Sequence, residues 1–226
     1  MEYFNLPIFQ ILIIYSIVIL SSIIQSSISF GFALISSPIL IMFNPSFVPV
    51  PLLLSSLLLS IIMVIRDRQS INIRELKMPL LGRIIGSLLS ALIISIISEV
   101  IFGIIFGFII ILGVLISFLD YDIKTTEFNL LIAGFFSGLM GTIAAIGGPP
   151  IALAYQNRKG SVIRATLSGF FVIGTIISLL AISVFKGVNF NEIKLFLFIA
   201  PALIIGFIIS KLSIKFLDKG SIKYAI

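Results

Sequence analysis

The chain has 226 residues, 59% of them hydrophobic and 11% charged, with a mean hydropathy of +1.28. A soluble domain of this size carries about a quarter charged residues, so the solvent for this surface is lipid. The chain contains no Cys and no His, which excludes a disulfide framework, a zinc–thiolate site, thiol chemistry and the commonest proton shuttle near neutral pH. The net charge of +6 does not mark a nucleic-acid binder, because the cations lie in short loops between apolar runs and form no basic face. In a membrane protein such loops report topology.

Apolar runs of roughly 20 residues mark spanning helices. The N-terminal stretch Met1–Leu20 lacks the cationic start of a signal peptide and reads as mature membrane protein. The first apolar stretch, 8–43, is too long for one crossing and is interrupted near its middle by Gln25–Ala33. Single spans follow at about 47–65, 78–97 and 100–119. A second overlong stretch, 128–157, is interrupted from Gly141-Thr142 through Gly147-Gly148-Pro149-Pro150. Single spans at about 163–185 and 192–210 complete the series. Both interrupted stretches are expected to form hairpins, either re-entrant or built of broken helices.

The loop charges orient these elements. Arg66, Arg68, Arg74 and Lys77 lie in segment 66–77, after the 47–65 run, with Arg83 one turn into the next span; Arg158, Lys159 and Arg164 follow the second hairpin; Lys211, Lys215, Lys219 and Lys223 occupy the tail. The positive-inside rule makes all three groups cytoplasmic. Lys124 follows by continuity, and the tally is 13 basic residues inside against 2, Lys186 and Lys194, outside. Half one (residues 1–122) then starts outside, makes a hairpin that returns outside, and crosses three times. Half two (123–226) starts inside, makes a hairpin that returns inside, and crosses twice. The expected fold is therefore an all-α integral membrane protein of two inverted-topology repeats, a common plan of secondary transporters. On this reading the final helix of the second repeat is absent, the N-terminus is outside and the C-terminal tail is cytoplasmic.

In hydrocarbon, broken backbone is tolerated only where it is buried in protein or lines a cavity. Two hairpin tips entering from opposite faces would meet near the midplane, each starting a half-helix whose free N–H groups and positive dipole end suit an anion. Gly31, Gly141, Gly147 and Gly148 allow close backbone approach. Pro149 and Pro150 suit the first turn of a half-helix. Gln25, Ser26, Ser29 and Thr142 add neutral donors. The glycine pairs Gly82/Gly86, Gly103/Gly107 and Gly134/Gly138 have small-xxx-small spacing and read as helix-packing positions. Arg164 opens a span beside a cytoplasmic loop. It reads either as a snorkelling anchor or as an arginine that attracts anions at the cytoplasmic mouth, and Arg83 carries the same ambiguity.

The segment Gly134–Pro150, GFFSGLMGTIAAIGGPP, resembles the second-half motif of the sulfite exporter TauE/SafE family. Gln25–Leu34 is similar to that family's first-half motif, which typically has Gly where Ser29 stands. Arg164-Ala-Thr-Leu167 and Pro201 followed by Gly206 also fit, so the resemblance covers nearly the whole chain. The Ala144-Ala145 pair is a departure, standing where the family is usually bulkier or glycine-rich. The resemblance implies a cell-membrane permease, often for sulfite, sulfonates or other small organic and sulfur-containing anions.

An intramembrane enzyme is the rival from another class, with Gly134-Phe-Phe-Ser-Gly138 as its one motif. It is disfavoured, since a serine–histidine dyad is impossible without His and no span interior holds paired carboxylates. A non-transporting scaffold is the second rival. A cation transporter would call for membrane-embedded Asp or Glu. The expected partners are a small anion and the lipid bilayer, with no nucleic acid and no cofactor; a homo-oligomer is compatible with every feature above.

The topology is testable in this cysteine-free chain. Ser46→Cys is expected to react with an impermeant thiol reagent in intact cells, and Asn72→Cys and Ser161→Cys only after permeabilisation. External labelling of Asn72→Cys as fast as Ser46→Cys would reject the assignment.

Overall fold

A computed structural model describes residues 7–118, 124–156 and 160–217. Among these residues there are nine α-helices and no strands: α1 (Ile8–Ile28), α2 (Phe32–Phe43), α3 (Val50–Asp67), α4 (Lys77–Ile96), α5 (Glu99–Ser117), α6 (Glu127–Ala144), α7 (Gly148–Tyr155), α8 (Gly160–Phe185) and α9 (Phe190–Leu217). Helix starts follow local chemistry. The Ser98 hydroxyl accepts from the Ile101 N–H, and the Thr126 hydroxyl from the Asn129 N–H at 3.2 Å, each with a glutamate in the first turn. Side-chain caps of this kind satisfy N–H groups that a helix start leaves open, and an acid there complements the dipole.

Seven of the described helical segments are long and apolar enough to cross a membrane. The five single spans read from the sequence are among them. So are α1 and α6, the first arms of the two hairpins, which at 21 and 18 residues are of crossing length themselves. The second arms are short: α2 has 12 residues and α7 has 8. At 1.5 Å per residue these reach only about 18 Å and about 12 Å, less than a hydrocarbon core of about 30 Å. The interruptions therefore fall past the middle of each stretch, after Ile28 and after Ala144. Gln25 and Ser26 belong to α1, and Gly141 and Thr142 to α6, rather than to the breaks.

The bundle is inverted relative to a soluble protein. Exposed side chains are large and apolar, as on the α5 face formed by Ile104, Phe108, Ile111 and Leu115, a helical repeat that suits lipid. Polar side chains lie inside, including Ser21, Ser36, Ser55, Ser87, Ser137 and Ser178, all fully buried. Many of these serines stay satisfied by bonding their own helix. The Ser21 hydroxyl donates to the Ile17 carbonyl at 2.6 Å, Ser36 to Phe32 at 2.7 Å and Ser55 to Pro51 at 2.8 Å. In a medium without water an unpaired hydroxyl is costly.

Three helix pairs dominate the packing: α4 with α6, α1 with α9, and α3 with α8. The α4–α6 seam is a close backbone contact between glycines. A Cβ on Gly82 would lie 2.7 Å from the Phe135 nitrogen, one on Gly86 3.0 Å from the Leu139 nitrogen, and one on Gly138 2.6 Å from the Arg83 carbonyl oxygen; one on Gly134 would lie 2.7 Å from Pro79 Cα. The packing reading of Gly82/Gly86 and Gly134/Gly138 holds. That of Gly103/Gly107 does not, because a Cβ at either position would meet nothing within 4 Å.

Loop ends group as well. Asn72 N–H donates to the Thr166 hydroxyl at 3.2 Å and the Tyr155 hydroxyl to the Glu75 carbonyl at 2.7 Å, which gathers the α3–α4 connection, the end of α7 and the start of α8. Asn44 and Ser46 share a surface hollow with Lys186 to Leu195. The tail beyond Leu217, which carries the expected cytoplasmic Lys219 and Lys223, and the half boundary at residues 122–123 lie outside the described residues.

Gly86→Val is expected to destabilise the chain by about 3 kcal/mol or more through backbone overpacking, and Gly107→Ala to change stability by less than about 0.5 kcal/mol. Thermal unfolding of the detergent-solubilised variants measures both. Equal melting temperatures for the two would remove the seam from the account.

Candidate functional site

The first break is set by left-handed backbone. Ser29 has φ 75° and Gly31 φ 107°. Such angles favour glycine, which gives a physical reason for the glycine that the resemblance places at position 29. Here serine takes the strain and uses its side chain: Ser29 Oγ donates to the Arg164 carbonyl at 2.9 Å and accepts from Ser168 Oγ at 3.3 Å. Gln25 closes the other side of the break. Its carbonyl accepts from the Ser29 N–H at 2.6 Å, and its side-chain Oε1 accepts from the Phe32 N–H, in the first turn of α2, at 3.2 Å. Gln25 therefore caps the half-helix through its side-chain oxygen. Ser26 is fully buried, and its carbonyl accepts from Arg66 Nη2 at 3.0 Å.

The second break, Ala145–Gly147, has the same logic. Ala145 is left-handed with φ 60° and ends α6. Its N–H returns to the Met140 carbonyl, as does that of Ile146. The Gly147 carbonyl accepts from Ser137 Oγ at 2.5 Å. Pro149 and Pro150 sit in the first turn of α7, where a missing N–H removes no helical bond.

The two breaks meet. A Cβ on Gly148 would lie 2.6 Å from Phe30 Cβ and 2.8 Å from its ring, so the tips touch through Phe30 and only glycine fits opposite it. Gln25, Gly31, Ala145, Gly147, Gly148 and Pro149 line a cavity of about 30 Å³ between them, together with Arg83, Phe171 and Thr175. That volume holds about two water molecules and is too small for an oxyanion of four heavy atoms. The tips are closed on one another.

Arg83 is the residue that sequence reading placed least well. It is 1% exposed, so it is no snorkelling anchor. Its Nη1 donates to the Ser137 carbonyl at 2.8 Å and to Ser137 Oγ at 2.7 Å, and Nη2 reaches Ser178 Oγ at 3.4 Å. The guanidinium lies 5.4 Å from the Phe170 ring centroid and 6.0 Å from that of Phe171, within cation–π range. Three glycines make its slot. A Cβ on Gly141 would lie 2.8 Å from Nη1, one on Gly174 2.6 Å from Cδ, and one on Gly147 would overlap Nη1. Thr142 joins the same network through Ser178, to which its hydroxyl donates at 2.9 Å. The signal available in sequence was an arginine one turn inside an apolar span and three glycines on other helices; only folding brings them together.

Arg164 is also buried, at 4% exposure, which overturns its reading as a snorkelling anchor. Its backbone carbonyl ties α8 to the first break through Ser29. Of the residues expected to bind an anion, Gln25, Gly31, Gly147, Gly148 and Pro149 line the shared cavity. Gly141 and Thr142 stand behind Arg83. Ser26, Ser29, Pro150 and Arg164 are buried nearby without lining it.

Crossing-length helices, an outward apolar surface and two interrupted hairpins that meet tip to tip define a multi-span helical membrane protein with a small cavity between its breaks. The chain belongs to the sulfite exporter TauE/SafE family, whose profile matches residues 14–226. The family is one of membrane exporters of sulfite and related anions. Neither the curated proteins nor the solved structures gave a match to the chain.

Gly148→Ala is expected to cost about 1–3 kcal/mol by overpacking against Phe30 and close to nothing in a chain that already carries Phe30→Gly, which removes the Cβ and ring atoms it would meet, since residues in contact couple. Melting temperatures of the four proteins in this cycle give the coupling. The same penalty in both backgrounds would mean that the tips do not touch.

Proposed function

We propose that the chain moves small anions, namely sulfite, organosulfonates or related small sulfur-containing or carboxylate anions, out of the cell by alternating access, and that the binding region lies at the two breaks. One observation carries this reading: the breaks of two separate hairpins close on a single buried cavity that Gly148 and Phe30 seal. Interrupted backbone inside a membrane bundle is costly unless it lines a path, and discontinuous helices at a repeat interface are how many transporters bind their ions. Parting Phe30 from Gly148 would enlarge the cavity toward one face, and closing it again while the other face opens would complete the cycle.

The helix pairing supports an inverted repeat as the basis of that cycle. If α1, α3 and α4 correspond to α6, α8 and α9, the α1–α9 pair maps onto α6–α4, and α3–α8 maps onto itself. The two outer pairs also share a direction. Tyr15 bonds the Phe198 carbonyl and Ser22 sits beside Gly206, while Pro79 meets Gly134 and Arg83 meets Gly138, so both run parallel. The orientation expected from loop charge, with the α3–α4 connection cytoplasmic, goes with this arrangement.

Export needs no coupling ion on this reading. A monovalent anion leaving a cell that is negative inside gains roughly 2.3 kcal/mol per 100 mV, and a divalent one about twice that. In proteoliposomes with a potassium–valinomycin potential, sulfite flux is expected to reverse when the potential is reversed, and a proton gradient at zero potential is expected to change it little once substrate protonation is controlled. Uphill flux driven by a proton or sodium gradient with the potential clamped would refute the uncoupled mechanism. No flux under any gradient would refute the permease reading and favour a scaffold.

A further inference from the structure

We propose that Arg83 is the anion ligand of this permease, and that it takes a small oxyanion as one bidentate pair on its Nε–Nη2 edge. This rests on the permease reading above.

Three observations point there. The first is charge without a counter-charge: among the described residues no carboxylate pairs with Arg83, which is 1% exposed. A lone charge buried in a membrane bundle is costly, and such residues mark ion and substrate pathways. The second is its hydrogen bonding. A guanidinium has five N–H donors. Both donors on Nη1 are matched by the two oxygens of Ser137, while Nη2 has only the long contact to Ser178 and Nε has no partner among the described residues. The underused groups are one edge of the fork, the shape that two oxygens on one atom match. The third is position. Arg83 lines the cavity at which both breaks meet, beside Gly147 and Gly148 at the start of α7, so the positive end of that half-helix and the guanidinium face one space.

A purely structural arginine would account for the Ser137 clamp. It does not account for an unpaired Nε on a side chain that lines the cavity, or for three glycines on α6, the second break and α8 that leave the guanidinium its room. In the closed state Ser137 holds the fork through Nη1 and also holds the Gly147 carbonyl at the break. Anion on the other edge would neutralise the charge without disturbing that clamp. The edge selects sulfite, sulfonates and carboxylates alike, because each offers two oxygens on one atom. Chloride and thiocyanate do not offer that pair.

The test uses purified full-length chain in proteoliposomes, with sulfite as substrate, and thermal unfolding in detergent with sulfite against gluconate. Wild type is expected to transport sulfite, to be stabilised by it, and to be inhibited by methanesulfonate and acetate but not by thiocyanate. Arg83→Gln is expected to lose the sulfite-induced stabilisation and to raise KM by about thirtyfold or more, as truncation of one member of a buried charge pair does. Arg83→Lys keeps the charge but not the fork. It is expected to retain the wild-type kcat within a few-fold, to raise KM by about tenfold, and to lose the preference for methanesulfonate over thiocyanate. That loss of preference is a change a packing role would not produce. Wild-type KM and sulfite stabilisation in Arg83→Gln would overturn the proposal. If Arg83→Gln does not fold, Arg83→Lys decides: an unchanged KM with an unchanged inhibitor preference overturns it. Absence of flux in wild type would instead overturn the permease reading on which this rests.

Discussion

A backbone N–H or C=O cannot be left facing hydrocarbon, and both hairpin breaks are placed where other groups of the protein answer them. At the first break Gln25 accepts from Ser29 through its carbonyl and from Phe32 through its side chain. At the second, Met140 takes the N–H groups of the turn and Ser137 takes the Gly147 carbonyl. The two prolines of α7 remove donors that would otherwise need partners. Two such repairs can be made only inside the bundle, and that requirement draws both hairpin tips to one place.

The rest of the architecture follows from getting them there. The hairpins need supporting helices that approach closely, and α4 and α6 do so at backbone distance through Gly82, Gly86, Gly134 and Gly138. That approach carries Arg83 into the bundle beside Ser137 instead of letting its long side chain climb to the headgroups. Small residues on α6 and α8 then leave a slot for the guanidinium, and Phe170 and Phe171 cover it. The serines, which in water would lie on the outside, pack inward, and several bond their own helices, so that among the described residues the buried charges are Arg83, Arg164 and Glu192.

The function of such a closed polar interior depends on its weakest seal. Phe30 against Gly148 is a contact between a break and the first residue of the short helix α7, not between two long helices. Separating it breaks no helical hydrogen bond, whereas separating α4 from α6 would unpack an entire seam. The long helix pairs are held along whole seams, the tips at one contact.

Much of this was legible in the chain itself. Apolar run length located the spans because the thickness of a bilayer demands it. Gly31, Gly147, Pro149 and Pro150 marked the breaks because they either favour left-handed backbone or cannot continue a helix, and the Gly134–Pro150 motif pointed to the family. What remained open depended on neighbours far away in sequence. Thr142 looks like a free donor until Ser178 is placed beside it, and the capping role of Gln25 is hidden until Phe32 is. Gly103 and Gly107 have the spacing of packing glycines, yet no helix among the described residues meets them. Arg83 lies among leucines and isoleucines on α4, and nothing local says whether it reaches for the interface or turns inward. That choice belongs to α6 and α8, whose Ser137, Gly141, Gly174 and Ser178 stand 54 to 95 positions further along the chain. Composition and periodicity determine what must be in the membrane; only the tertiary structure decides which polar groups share a cavity there, because hydrogen bonding and exclusion of lipid are settled between helices and not within them.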